Sequence, residues 1–313
     1  MDERRGELWE LAEPDLDLTV VVPYYNPGPR LCPNVEQLVE VLASVGVSFE
    51  VITVSDGSTD GSTEAMAALA HAAVRRVTLN RNWGKGQALR VGLAMGRGRY
   101  LGFIDADGDV APDVLAPLAS IMRAYQPDII LGSKRHPMSV VDYPALRRFY
   151  SWGYQQLIRV LFRLRVRDTQ TGVKLVRREV LAAVLPRMVE KGFAFDLELF
   201  VVARHLGYQR LFEAPVRLGE RFTSTISSAA VLHMLVDTLA IWRRLRAGVY
   251  DEVPGPSKDG TAGAGEAGAG GAGGPSSAGH GPGRRVMGAG SGRPGRIRLT
   301  QVRRCRGTPG ANQ

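Results

Sequence analysis

The sequence predicts an α/β domain built on a mostly parallel sheet with helices on both faces. Short runs rich in β-branched residues alternate with segments whose apolar positions recur at helical spacing. The runs are continuous rather than alternating, as strands buried on both sides are. Several lead directly into Gly-, Pro- or Asp-rich turns, and the carboxyl ends of parallel strands form the rim where such sheets bind ligands.

The elements follow in order. Strands are predicted over 18–23 (LTVVVP), 49–55 (FEVITVS), 75–80 (RRVTLN), 99–105 (RYLGFID) and 128–133 (DIILGS). Helices are predicted in NVEQLVEVLASVG, STEAMAALAHAA, GQALRVGLAMG and DVLAPLASIMRAY, with Thr59 or Asp60 capping the second. This alternation places Pro23, Asp56 and the stretch Asp105 to Asp109 along one rim. From about Pro144 to Tyr250 the text is mostly helical, beginning with the Arg-rich amphipathic stretch YPALRRFYSWGYQQLIRVLFRLRV. A short apolar stretch, RLFEAPVRL, precedes the last helix, which ends in a basic RRLR. The reading divides the chain into an arm (1–16), one domain (17–250, in halves 17–135 and 136–250) and a tail (251–313).

Composition is that of a globular protein, with 44% hydrophobic and 23% charged residues among 313. The tail differs: it holds about half of the 37 glycines, lacks aromatic residues and has no apolar period, so it is expected to be disordered. It also carries most of the net charge of +9, leaving the domain close to neutral. A nucleic-acid partner is not expected, because no recognition module accompanies the basic tail. Cys32 and Cys305 offer neither a disulfide framework nor a zinc spacing, which suits a reducing, cytoplasmic setting. The acidic N-terminus does not read as a signal peptide, and the longest apolar run, Ala229 to Trp242, is too short to span a bilayer and contains Asp237.

The chemistry concentrates in YLGFIDADGDVAPD (100–113), where an apolar run meets Asp105, Asp107 and Asp109. Carboxylates so close repel unless a cation or a positively charged partner sits among them. A calcium loop of the EF-hand kind would need Gly at Val110 and Glu at Ala116, so the pattern fits Mg²⁺ or Mn²⁺ better, ions that often also hold a substrate diphosphate. Solvated turn aspartates are the bland alternative. VSDGSTDGS (54–62) also follows a strand; it is either a helix-capping turn or a place where Asp56 meets a base or ribose. NRNWGKGQAL (80–89) is no Walker A loop, yet Lys85 at a helix start suits a phosphate. His71, His136, His205 and His233 show no ligand spacing.

Taken in order, VVPYYN, VSDGSTDGS, NRNWGKGQAL, DADGD, ILGSK, DTQTGVKL and FAFDLEL resemble the family 2 glycosyltransferases of the GT-A fold. Over residues 18–245 the chain is most similar to the dolichyl- and polyprenyl-phosphate glucosyl- and mannosyltransferases, with RDTQTGVKL and KGFAFDLEL on the glucosyl side. The resemblance implies donor contacts from Pro23, Tyr25, Asp56, Lys85, Asp105 and Asp107, and a Mg²⁺ or Mn²⁺ site at Asp105, Asp107 and Asp109. It implies reaction-side roles for Asp107, Lys134, Arg147, Ser151 and Asp196, with Lys134, Arg147 and Ser151 near an acceptor phosphate and Asp168 and Glu198 in motifs lining the acceptor side.

Three positions depart from the family pattern. Pro27 stands where Glu is usual and Ser55 where the first Asp of a DDGS motif is usual, so the nucleotide pocket loses two carboxylates. Lys134 replaces an Arg and loses its bidentate geometry. The implied activity is metal-dependent, inverting transfer of a hexose, glucose or mannose, from a UDP- or GDP-sugar to a polyprenyl phosphate. It would occur at the cytoplasmic membrane face, with the protein bound peripherally. Alternatives are transfer to a soluble or polysaccharide acceptor, or nucleotide-sugar binding without catalysis.

Overall fold

The computed structural model describes residues 11, 13–139, 145–164, 166–169, 171–216 and 228–252, with the backbone alone for 145–151 and 228–231. Of the predicted tail, residues 253–313 lie outside the described residues. The chain runs β1 (Leu16–Tyr24), α1 (Leu31–Ser44), β2 (Phe49–Ser55), α2 (Ser62–Ala68), β3 (Val74–Thr78), α3 (Lys85–Ala94) and β4 (Gly98–Ile104). It continues through α4 (Leu115–Tyr125), β5 (Ile129–Ser133), α5 (Ala145–Phe162), β6 (Val173–Arg177), α6 (Arg178–Val184), α7 (Phe195–His205), β7 (Leu211–Pro215) and α8 (Ser228–Arg246).

The seven strands form one sheet in the order β3-β2-β1-β4-β6-β5-β7. The first four pair in parallel, with Val20 opposite Val51 on one side and Gly102 on the other. β6 is antiparallel to both neighbours, setting Lys174 opposite Phe103 on β4 and Leu131 on β5. The second half is therefore not simply helical: it inserts β6 into the middle of the sheet and adds β7 at the edge. Neither strand was expected, because VKLVR is short and carries a lysine inside its apolar run.

Side-chain alternation along β1 divides the core. Val21 faces one cluster with Phe103, Leu89 of α3, Ile158 of α5 and Phe200 of α7. Val20 and Val22 face the other, with Leu38 of α1, Met66 of α2 and Leu118 of α4. Burial of both faces explains the continuous apolar runs.

The second helix starts differently from the simple cap expected. Gly61 occupies the cap position at φ 82°, while Asp60 accepts from the backbone of Ser62 (3.1 Å) and of Gly28 (2.8 Å). Thr59 instead donates its backbone N–H to Asn26 Oδ1 at 2.8 Å. These bonds lace the loop after β1 to the loop after β2 and order both along the rim.

Candidate active site

The rim is built where β1, β2 and β4 end. Pro23 is buried in register with Val54, whereas Tyr25 beyond it is 50% exposed. Asp56 is buried and its two carboxylate oxygens accept the backbone N–H groups of Trp83 and Gly84, both at 2.8 Å. Asp56 thus holds the loop before α3, with lone pairs left on both oxygens. Ser55 lies fully buried below, 2.9 Å from the Thr63 hydroxyl. Its hydroxyl turns inward to another side chain.

Lys85 opens α3 with its ammonium 2.6 Å from Asp105 Oδ1 and 3.6 Å from Asp196 Oδ2. Burial opposes the charge on Lys85, but the two carboxylates outweigh it and hold its pKa above the usual lysine range. Burial pushes the Asp105 carboxyl upward, and Lys85 pulls against that shift. The loop closes tightly behind Asp105, whose N–H donates to Gly172 O at 2.9 Å. A Cβ on Gly172 would lie 2.3 Å from Asp105 Oδ2, so a side chain there would displace the carboxylate.

Asp107 and Asp109 stand outside this network. Asp107 is exposed, and its Oδ1 accepts the Asp109 N–H at 3.0 Å. Among the described residues, no group of three His, Cys, Asp or Glu side chains is placed to hold a metal ion. The three aspartates therefore do not converge as one ligand set: Asp105 is held by Lys85, and all three line a cavity of about 490 Å³ together with Arg30, just before α1, and Asn34 and Gln37 on α1.

The other expected residues scatter. Asp196 is buried between Lys85 and Lys174 beneath the rim, rather than on an acceptor surface. Glu198, fully buried, accepts from the backbone of Val189 (2.9 Å) and Glu190 (2.7 Å) and from the Tyr250 hydroxyl (2.8 Å), so it anchors the 188–193 loop and lines no open surface. That loop abuts α3, where Lys191 O accepts the Gln87 N–H at 3.2 Å. Asp168 Oδ2 accepts from the Lys134 backbone at 3.1 Å and from the Thr171 hydroxyl at 2.5 Å. Arg147 and Ser151 lie on α5, with side chains outside the described set.

The sequence matches the glycosyl transferase family 2 over residues 19–185, more than half of its length. The chain belongs to that family. Family membership makes it a glycosyltransferase, and the sheet is the GT-A fold. It is 30% identical over 245 residues to a dolichyl-phosphate beta-glucosyltransferase from Trichomonas vaginalis, covering 74% of this chain and 72% of that one. A dolichyl-phosphate beta-glucosyltransferase from Drosophila melanogaster is 32% identical, covering 76% and 78%. The fold is shared with mannosyl-3-phosphoglycerate synthase from Rubrobacter xylanophilus at a TM-score of 0.57 and 16% identity, covering 82% of this chain and 80% of that one. It is shared too with glucosyl-3-phosphoglycerate synthase from Mycobacterium tuberculosis, solved with Mn²⁺, UDP and phosphoglyceric acid, at 0.52 and 19%, covering 80% and 83%.

One charged residue of this family 2 site escaped the sequence reading. Lys174 is fully buried on β6 and 2.7 Å from Asp196 Oδ1. The available signal was a lysine inside the apolar run VKLV.

Proposed function

We propose that this glycosyltransferase moves glucose from UDP-glucose to a polyprenyl phosphate at a membrane surface, with a divalent cation at the acidic rim. The observation that carries the donor side is an Asp105 paired with Lys85 next to an Asp107 and an Asp109 that make no ion pair among the described residues, at the end of β4. The relatives named dolichyl-phosphate beta-glucosyltransferases support glucose and the lipid phosphate.

The donor set suits Mg²⁺ or Mn²⁺. Both outer ligands are hard carboxylate oxygens, and Mg²⁺ is commonly held by one or two carboxylates plus substrate phosphates. Asp107 and Asp109 would hold a divalent ion, which would supply charge neutralisation for the departing diphosphate. Lys85 adds a fixed positive charge beside Asp105, and the Asp56-tied loop holds it on the rim. An acceptor phosphate is already ionised near neutral pH, so no strong general base is needed. Its oxygen attacks the anomeric carbon as the bond to the UDP oxygen breaks, which inverts that centre. Lys134, Arg147 and Ser151 hold the acceptor phosphate for this approach.

Membrane contact rests on α8. Leu232, Val236 and Leu239 are exposed at i, i+4 and i+7, and Arg243, Arg244 and Arg246 close the helix. Among the described residues, no helix is long and apolar enough to cross a membrane. The test is transfer of radiolabel from UDP-glucose or GDP-mannose to a short-chain polyprenyl phosphate with Mg²⁺ or Mn²⁺. A lipid-linked product from UDP-glucose alone is expected. Hydrolysis of the donor without lipid product would reject the acceptor, and transfer from GDP-mannose alone would reject the donor.

A further inference from the structure

We infer that Lys174 is a positioning residue for donor binding, acting through Asp196 to keep Lys85 on the rim. The inference deepens the proposed function and rests on its assignment of Lys85 to the donor diphosphate.

Four charges alternate in sign from the core to the rim. Lys174 Nζ is 2.7 Å from Asp196 Oδ1, Asp196 Oδ2 is 3.6 Å from Lys85 Nζ, and Lys85 Nζ is 2.6 Å from Asp105 Oδ1. Side-chain exposure rises in the same order, from 0% at Lys174 through 5% at Asp196 and 16% at Lys85 to 29% at Asp105. Lys174 is fixed further by donating to Thr171 O at 2.5 Å, with its ammonium 5.1 Å from the Phe103 ring centroid and 5.7 Å from that of Phe200.

A buried ion pair is a poor way to stabilise a core, since well-packed apolar residues of similar volume often do as well or better. The placement of this one gives it another use. Asp196 leans on Lys174, the nearer of its two ammonium groups, and leaves Lys85 to Asp105. Without Lys174, the carboxylate has a single cation within reach, and it draws Lys85 inward from the rim. The cluster also gains a net negative charge where a diphosphate must approach. Both effects weaken donor binding; Thr171, which Lys174 also holds, reaches Asp168 and the Lys134 backbone, so acceptor KM is recorded beside donor KM.

The experiment is calorimetric titration of the full-length protein with UDP and Mn²⁺, together with donor KM and kcat in the transfer assay. Its variants are Lys174→Met, Asp196→Asn, the double variant and Lys85→Met, with thermal unfolding recorded for each. Lys174→Met is expected to weaken UDP binding and raise donor KM by about tenfold with little change in kcat. In the Asp196→Asn background the same substitution is expected to cause no further loss, because the group through which Lys174 acts is gone. The double variant lacks an unpaired buried charge, so if Lys174→Met alone does not fold, the double variant's UDP affinity against Asp196→Asn carries the test: a further loss overturns the inference. Equal weakening by Lys174→Met in both backgrounds, or none in the wild-type background, overturns the inference. Lys85→Met separates the layers. If it leaves UDP affinity unchanged, the donor reading fails and this inference with it. If it weakens binding while Lys174→Met does not, only the role of Lys174 falls.

Discussion

Asp105 and Asp107 are two residues apart, yet they sit in opposite electrostatic situations. Asp105 belongs to the interior side of the rim, where Lys85 meets it at 2.6 Å and Asp196 and Lys174 continue the alternation into the core. Asp107 belongs to the outer side, exposed, where it accepts a backbone N–H from Asp109. The comparison teaches that one acidic motif divides its labour. The protein pairs the inner carboxylate with Lys85, and the outer pair, which makes no ion pair among the described residues, is where the proposed function would seat a cation.

The sharpest way to break this comparison is to neutralise each aspartate in turn. Asp107→Asn is expected to lower kcat/KM for transfer by about a hundredfold or more, with the melting temperature unmoved. Asp105→Asn is expected to lower activity and also to destabilise the fold by about 2 kcal/mol, since Lys85 loses its nearest counter-charge. Equal melting temperatures for the two variants would erase the distinction.

Arg147→Ala comes next in size. It should raise KM for the lipid acceptor by about tenfold or more while UDP affinity stays at the wild-type value. A parallel loss of UDP affinity would place Arg147 on the donor side instead. Gly172→Ala probes the inner carboxylate sterically: the new Cβ would press on Asp105 Oδ2, and about tenfold lower activity with a lower melting temperature is expected. Wild-type kinetics in that variant would show that the exact seat of Asp105 does not matter.

The smallest effect concerns Glu198, where burial raises the carboxyl pKa above 4.5 against the pull of its hydrogen-bond donors. The native state therefore keeps this proton to higher pH than the unfolded chain does. The stability it contributes is full below about pH 4.5 and is lost as pH rises through the native value. Glu198→Gln removes that dependence, so unfolding midpoints from acid to neutral pH should decline less in the variant than in wild type. Parallel curves would show that Glu198 titrates as it does in the unfolded chain.

Much of this arrangement was legible in the sequence because it is local. The strand over 49–55 is found over the predicted residues, and the ends of β1, β2 and β4 put Pro23, Asp56 and Asp105 on the expected rim. β6 was hidden because its five residues carry Lys174 and because an antiparallel insertion leaves no mark in a pattern of alternating strands and helices. The second helix stops at Ala68, short of the predicted segment, as Leu69 turns extended at ψ 100°. At the site, Lys85 and the aspartates could be named, but their partners could not. Lys85, Asp105, Lys174 and Asp196 meet only because β6 lies beside β4, and that order is a property of the whole sheet. Asp56 shows the same limit, since its partners Trp83 and Gly84 come from across the β2–β3 pair.

The most direct test of the divided rim is UDP affinity by calorimetry with and without Mn²⁺, for the wild type and Asp107→Asn. The account predicts that Mn²⁺ tightens UDP binding to the wild type by about tenfold or more and leaves the variant unchanged. The same Mn²⁺ enhancement in both proteins, or none in the wild type, would contradict it.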